Sequence, residues 1–243
     1  MLKKLMVGLG MLTFSLLASA VENKQAKTAI YLEAVSYRVV TEFNVHAMQK
    51  DKVSKQSLFD TLALGDDYSN ELAEVSQPLK QSWQKYRSFA WQKHSQTDGD
   101  IDTYVFNDMR ILHREFLKIM KDVKKAVNAD LLNPADAQQS NALLLIEQLG
   151  SEYLEISAAT FGTFGFAGSQ EAIQIEKRAQ AFDNTLDALA KLTIDDKEKS
   201  KKVKKLALRW KFIKGTLLAY NERSAPFAVA KTVAFIRKQI RDI

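Results

Sequence analysis

Glu42 and His46 are four residues apart. On a helix they share a face, and a carboxylate and an imidazole so placed can hold a divalent metal. Such a site needs a third ligand. The remaining histidines, His94 and His113, lie in stretches with no ligand cluster, so the two side chains read as a surface pair and no metal site is expected. Di-iron bundle proteins use Glu-x-x-His on two helices, and the chain has no such motif. Met48 and His113 are of the types that ligate haem iron, but nothing around them selects them. Acids are plentiful, and no two stand out as a hydrolytic pair. There is no Gly-x-Ser-x-Gly elbow and no phosphate loop. No catalytic constellation emerges and no cofactor is implied, so the chain reads as non-enzymatic.

Two further groups carry charge that can bind. Arg38, in Ser36-Tyr37-Arg38-Val39-Val40, offers a permanently charged fork of donors suited to a small oxyanion, although its ordinary role is a surface helix arginine. Lys199, Lys201, Lys202, Lys204 and Lys205 crowd the start of one segment, close to Asp195, Asp196 and Glu198. They form either a solvated face or a surface for anionic lipid or an acidic partner. No nucleic-acid recognition motif accompanies them. Gly162 to Gly168 alternates glycines with aromatics, as in a packed turn or a lip over a pocket.

The elements that must position these groups are helices. The 243 residues contain 9 Gly, 3 Pro and no Cys, which argues against disorder, disulfide scaffolds and turn-rich sandwiches. Val105, Met109, Leu112, Phe116, Ile119 and Val123 form one apolar stripe. Val203, Leu206, Trp210, Ile213, Leu217 and Tyr220 form another, and Val229, Val233, Ile236, Ile240 and Ile243 a third. Alternating steps of three and four residues are the seam of antiparallel bundle helices. No period-two alternation is sustained, so no sheet is expected. Ser76 before Pro78, Asn133 before Pro134, Asp195 with Glu198, and Ser224 before Pro226 read as helix starts. Eight helices follow, near 24–50, 56–75, 77–94, 101–128, 135–161, 169–192, 195–221 and 224–242. Ahead of them, Lys3 and Lys4, the apolar run Leu5–Leu17 and Ala18-Ser19-Ala20 make a cleavable export signal over residues 1–20. Cleavage would leave 223 residues at net charge +4 against +6 for the whole. The periplasm is the expected location, with only peripheral membrane contact.

The chain then repeats itself. Tyr31-Leu32-Glu33 recurs as Tyr153-Leu154-Glu155, Phe59–Leu62 as Phe182–Leu186, and Trp83 as Trp210, at similar intervals. The expected fold is all-α: two tandem antiparallel four-helix bundles over 21–131 and 132–243, related by an internal repeat.

The half-repeat resembles the helical sensor domain at the N-terminus of type IV pilus methyl-accepting chemotaxis transducers and of nitrate/nitrite sensor kinases. Phe182, Leu186, Leu189, Trp210 and Ile213 match its later helix pair. The family's first helix carries Gly-x-x-Arg-Met-x-Ser. Here Gly150–Ile156 and Thr28–Ala34 occupy that stretch, with Tyr153 and Tyr31 in place of the arginine and Glu155 and Glu33 two residues on. The resemblance implies a small-ligand site at Tyr31, Glu33, Tyr153 and Glu155, with Arg38 as an alternative anchor, and argues against nitrate as its ligand. The expected function is a non-enzymatic sensor-like or accessory module binding a small ligand or an envelope protein. The alternative is a purely structural interaction protein with no ligand pocket.

Overall fold

The computed structural model describes residues 2–94, 103–161, 174–220, 222 and 224–243, with the backbone alone at 2–22, 103 and 159–161. Among the described residues the chain is all-helical: α1 (Leu2–Gln49), α2 (Lys52–Glu71), α3 (Gln77–Lys93), α4 (Thr103–Ala126), α5 (Pro134–Phe161), α6 (Ile175–Leu192), α7 (Lys197–Leu218) and α8 (Pro226–Arg241). A short 3-10 turn, Ala129–Leu131, joins α4 to α5. The Gly162–Gly168 segment lies outside the described residues.

The starts follow local chemistry. Ser76 accepts from the Leu79 amide at 3.3 Å, with Pro78 in the first turn, and Asn133 accepts from the Asp136 amide at 3.0 Å. Each side chain satisfies a donor that the first helical turn leaves without a partner. The cap of α7 is Asp196, one residue beyond the expected Asp195; it accepts from the Lys199 amide at 3.0 Å. Asp51 caps α2 in the same way, so that helix starts at Lys52 rather than near residue 56. α1 extends back without a break through the apolar leader to Leu2.

Helices α1–α4 surround one apolar cluster, which includes Leu32, Phe43, Leu62, Trp83, Tyr86 and Phe116. A second, centred on Leu149, Tyr153, Phe182, Leu206, Trp210 and Ile236, is lined by α5–α8. Nearly every residue of the expected stripes on α4, α7 and α8 falls in these clusters. Burying one Leu or Ile side chain stabilises the fold by about 1.5–3 kcal/mol. The two clusters meet along α1 and α5, the most extensively paired helices, and Ala34 and Val45 of α1 belong to the second cluster. Lys27 bonds Asp136, Arg38 feels the charge of Glu147, and Thr41 faces Gly150. The offset is 109 residues each time, so α1 and α5 run parallel.

Each cluster is closed by the same polar lock. Trp83 donates its indole N–H to Asp66 Oδ1 at 2.8 Å, while Arg87, one turn on, donates to Oδ2 at 2.8 Å. Trp210 donates to Asp183 Oδ1 at 2.7 Å, and Lys214, again one turn on, takes Oδ2 at 2.6 Å. The pairing of Phe59 with Phe182 does not share this geometry. Phe182 is fully buried against the Trp210 ring, whereas Phe59 is 44% exposed and packs on Trp91. The residue that precedes the lock aspartate in the first half is Gly65. A Cβ there would lie 2.0 Å from the Trp83 ring, so the indole fills the space that Phe182 fills in the second half.

Candidate functional site

Helices α1 and α5 carry polar groups inward on two sides of their shared seam. Toward α2 and α8 lie Arg38, Glu42, Glu147 and Arg237. Arg237 and Glu147 form a buried two-pronged ion pair, with Arg237 Nη2 to Glu147 Oε2 at 3.0 Å. Burial opposes the Arg237 charge, but Glu147 outweighs it and holds the guanidinium above its ordinary pKa. Arg38 Nε is 3.7 Å from Glu42 Oε1, outside hydrogen-bond reach. Burial, and then the like charge of Arg237, lower the Arg38 pKa. Glu42 also accepts from Ser57 of α2 at 2.8 Å.

Glu42 and His46 are therefore buried rather than a surface pair, because the α2 hydroxyls reach across to them: Ser57 to Glu42, and Ser54 to His46 Nδ1 at 2.8 Å. The His46 ring lies 5.6 Å from that of His94. Among the described residues no three His, Asp or Glu side chains group as metal ligands.

Toward α4 and α6 the seam holds a second polar group. Ser36 donates to the Glu33 carbonyl at 2.7 Å and meets His113 Nε2 at 2.9 Å. With the serine proton committed, Nε2 is the donor in that contact, and the ring is neutral. Burial lowers the His113 pKa to about 3. Tyr86 stacks on this imidazole and donates to the Ser36 carbonyl at 2.9 Å; Tyr37 meets the ring edge-on. Nearer the C-terminal end of α5, burial raises the Glu155 carboxyl to about 7. Arg110, Arg114 and Arg178 oppose that rise, and Glu152 adds to it. Part of Glu155 still reaches solvent.

The residues expected to bind a small ligand are spread along this seam and occupied in holding it. Tyr31 is half-buried, its ring 6.1 Å from Tyr68. Glu33 is paired with Lys124 at 2.5 Å, and Arg38 faces Glu42. Tyr153 is fully buried, and its hydroxyl accepts from the Ala225 amide at 2.9 Å, anchoring the start of α8. In the parallel register Tyr153 and Glu155 stand about thirteen residues beyond Tyr31 and Glu33, roughly 20 Å at 1.5 Å per residue. One small molecule does not span them. The lysines Lys199, Lys201, Lys202, Lys204 and Lys205 lie on the N-terminal half of α7, and Lys202 reaches the Asp242 carbonyl.

Sequence reasoning missed Glu147, Arg237, Ser36 with His113, and the lock aspartates. Glu147 sits in Leu143-Leu144-Leu145-Ile146-Glu147, and Arg237 follows Ile236 in the apolar stripe of α8. A lone charge inside an apolar run was the available signal. Ser36 and Asp66 carried none, since their partners are distant in sequence.

Compared with family models, with curated proteins and with solved structures, the chain matches none.

Proposed function

We propose that this chain is a non-enzymatic, exported accessory module of the periplasm that acts through its surfaces on an envelope protein. In this reading it consists of two four-helix bundles, over 21–131 and 132–243, related by an internal repeat. The observation that carries it is the occupation of the seam: Glu33 pairs with Lys124 of α4 and Tyr153 bonds the start of α8, while Arg38 faces the Glu42 carboxylate. Groups so engaged stabilise the assembly and are not free to receive a ligand. The repeat is supported by the two Trp–Asp locks, each with a basic side chain four residues after the tryptophan. The scaffold of a sensor domain fits this reading, with its ligand chemistry replaced by interhelical contacts.

Nitrate is the sharpest test. Arg38, the alternative anchor, faces Glu42, and the neighbouring Arg237 is paired with Glu147, so an added anion meets guanidiniums already matched by carboxylates. Calorimetric titration at low ionic strength should give no nitrate or nitrite affinity better than millimolar. Micromolar binding that disappears in Arg38→Ala would overturn the surface reading in favour of a sensor. Thermal shifts with small amines, amino acids and neutral solutes extend the test, because any ligand selective for the native state raises the midpoint. N-terminal sequencing of the exported protein should begin at Val21; a retained Met1 would refute the export signal.

A second reading has one observation in its favour. Glu152, Glu155, Arg178, Arg110 and Arg114 place acids and bases from three helices around a partly accessible carboxyl raised to about 7. Three guanidiniums against two carboxylates leave this site net positive, so an anionic small ligand would find its counter-charge there, and Arg178→Gln would weaken its thermal shift.

A further inference from the structure

Charge is distributed very unevenly over the molecule. Helices α7 and α8 contain thirteen basic residues and one acid, a net of +12, whereas the whole chain is +6. The rest of the molecule is therefore net −6. Within this basic pair only Lys214 and Arg237 are consumed by ion pairs among the described residues, with Asp183 and Glu147. The remaining cations are exposed, except the half-buried Lys202.

The same surface exposes large apolar groups. On α7 the stripe Lys201, Lys205, Leu208, Phe212 and Gly215 recurs in steps of three and four and is exposed throughout. Leu208 is 68% exposed and Phe212 73%. The opposite face of α7 holds Val203, Leu206, Trp210, Ile213 and Leu217 in the core, so fold packing does not use Leu208 or Phe212. Helix α8 runs antiparallel beside α7: Lys202 reaches Asp242, and Arg209 covers the Phe235 ring at 4.8 Å. Phe235 is itself 41% exposed. Two adjacent helices thus present three large apolar side chains set among Lys201, Lys204, Lys205, Arg209 and Lys211.

We propose that this α7–α8 face docks on an anionic phospholipid surface, with the lysines on the headgroups and Leu208, Phe212 and Phe235 inserted at the headgroup–acyl boundary. The inference is independent of whether the module also holds a protein partner. Charge complementarity selects the occupant: mobile lysines without fixed counter-ions suit a fluid layer of phosphates, where no register is required. Apolar groups amid cations supply the second attachment that a stable peripheral contact needs. A ridge formed by two antiparallel helices is convex, and it fits a deformable surface.

The test uses the full chain with vesicles of phosphatidylcholine alone or with one-third phosphatidylglycerol. The chain has no cysteine, so Phe212→Cys carries an environment-sensitive fluorophore uniquely. A blue shift on anionic vesicles at low salt, absent on neutral ones, is expected, with sedimentation weakened about tenfold or more as salt rises to 0.5 M. Leu208→Ser with Phe212→Ser should weaken binding about tenfold while leaving the thermal midpoint unchanged, since both side chains are exposed. Lys201→Glu, Lys204→Glu and Lys205→Glu together should abolish it. No blue shift on anionic vesicles, an equal shift on neutral ones, or binding unaffected by the two serines would overturn the proposal. So would quenching of the label by an acidic polypeptide but not by vesicles, which would assign the face to a protein.

Discussion

Burial fixes the protonation of two side chains at the seam, and the two respond to pH in opposite senses. His113 is neutral in the folded protein because burial lowers its pKa to about 3, while an exposed histidine takes up a proton near 6.5. Between these values the unfolded chain binds more protons, so stability falls as pH falls through that window. Glu155 is the reverse case. Its folded pKa is about 7 and its ordinary value 4.5. Between them the folded protein binds more protons, so its contribution is complete below 4.5 and is lost as pH rises toward 7. At about 1.4 kcal/mol per unit, each window is worth at most several kcal/mol. Urea midpoints should rise from pH 3 to 4.5, change little while the two side chains oppose each other, and fall from 6.5 to 7. His113→Phe keeps the ring against Tyr86 and should remove the acid-side rise. Glu155→Gln should remove the fall near neutrality. An unchanged profile in both variants would refute the two assignments. Neither residue was legible in the sequence, where His113 was one of three scattered histidines and Glu155 an apparent ligand; their neighbours come from other helices.

At the scale of the helix, the sequence carried most of the result. Alternating three- and four-residue steps place the buried faces of α4, α7 and α8 correctly, because the helical period alone decides which side chains share a face. Ser76 and Asn133 cap as expected, because capping depends on a few adjacent residues. The aromatic pairing failed because of one glycine. Trp83 packs into the space over Gly65, so the first half needs no phenylalanine beside its lock, and nearby Phe59 matched Phe182 in type but not in place. Trp83→Ala and Trp210→Ala should each cost roughly 3–5 kcal/mol in denaturant unfolding. Gly65→Ala forces the indole off its seat. It should cost about 1–3 kcal/mol although alanine is the better helix former. A neutral or stabilising Gly65→Ala would show that the ring has another place to go. Asp66→Ala and Asp183→Ala each strand a largely buried indole N–H, at about 1–3 kcal/mol. A cost at Asp183 without one at Asp66 would break the equivalence of the two locks.

The whole molecule is held together along α1 and α5, and this part was not legible. The repeat suggested two units joined at a boundary near Leu131, whereas the longest parallel contact runs between the first helix of each half. Parallel pairing over so many residues depends on the return path of α2–α4, and no local pattern encodes it. It has a consequence for unfolding. α1 contributes Ala34 and Val45 to the second cluster, and Lys27 ties it to Asp136. Neither cluster can therefore open without exposing apolar surface of the other, and calorimetry should show one transition for the intact chain. The Arg237–Glu147 pair lies on the α2–α8 side of this seam, linking α8 to α5. Arg237→Ala leaves a buried carboxylate without its partner, a loss of about 3–5 kcal/mol that falls on the α5–α8 half. If the halves are coupled only through the seam, that loss should separate the melt into two transitions, with the environment of Trp210 lost before that of Trp83. Arg237→Met with Glu147→Leu removes both charges and should restore most of the stability and the single transition. A single, uniformly lowered transition in Arg237→Ala would instead show that the two clusters behave as one core, and that the seam is interior rather than a joint.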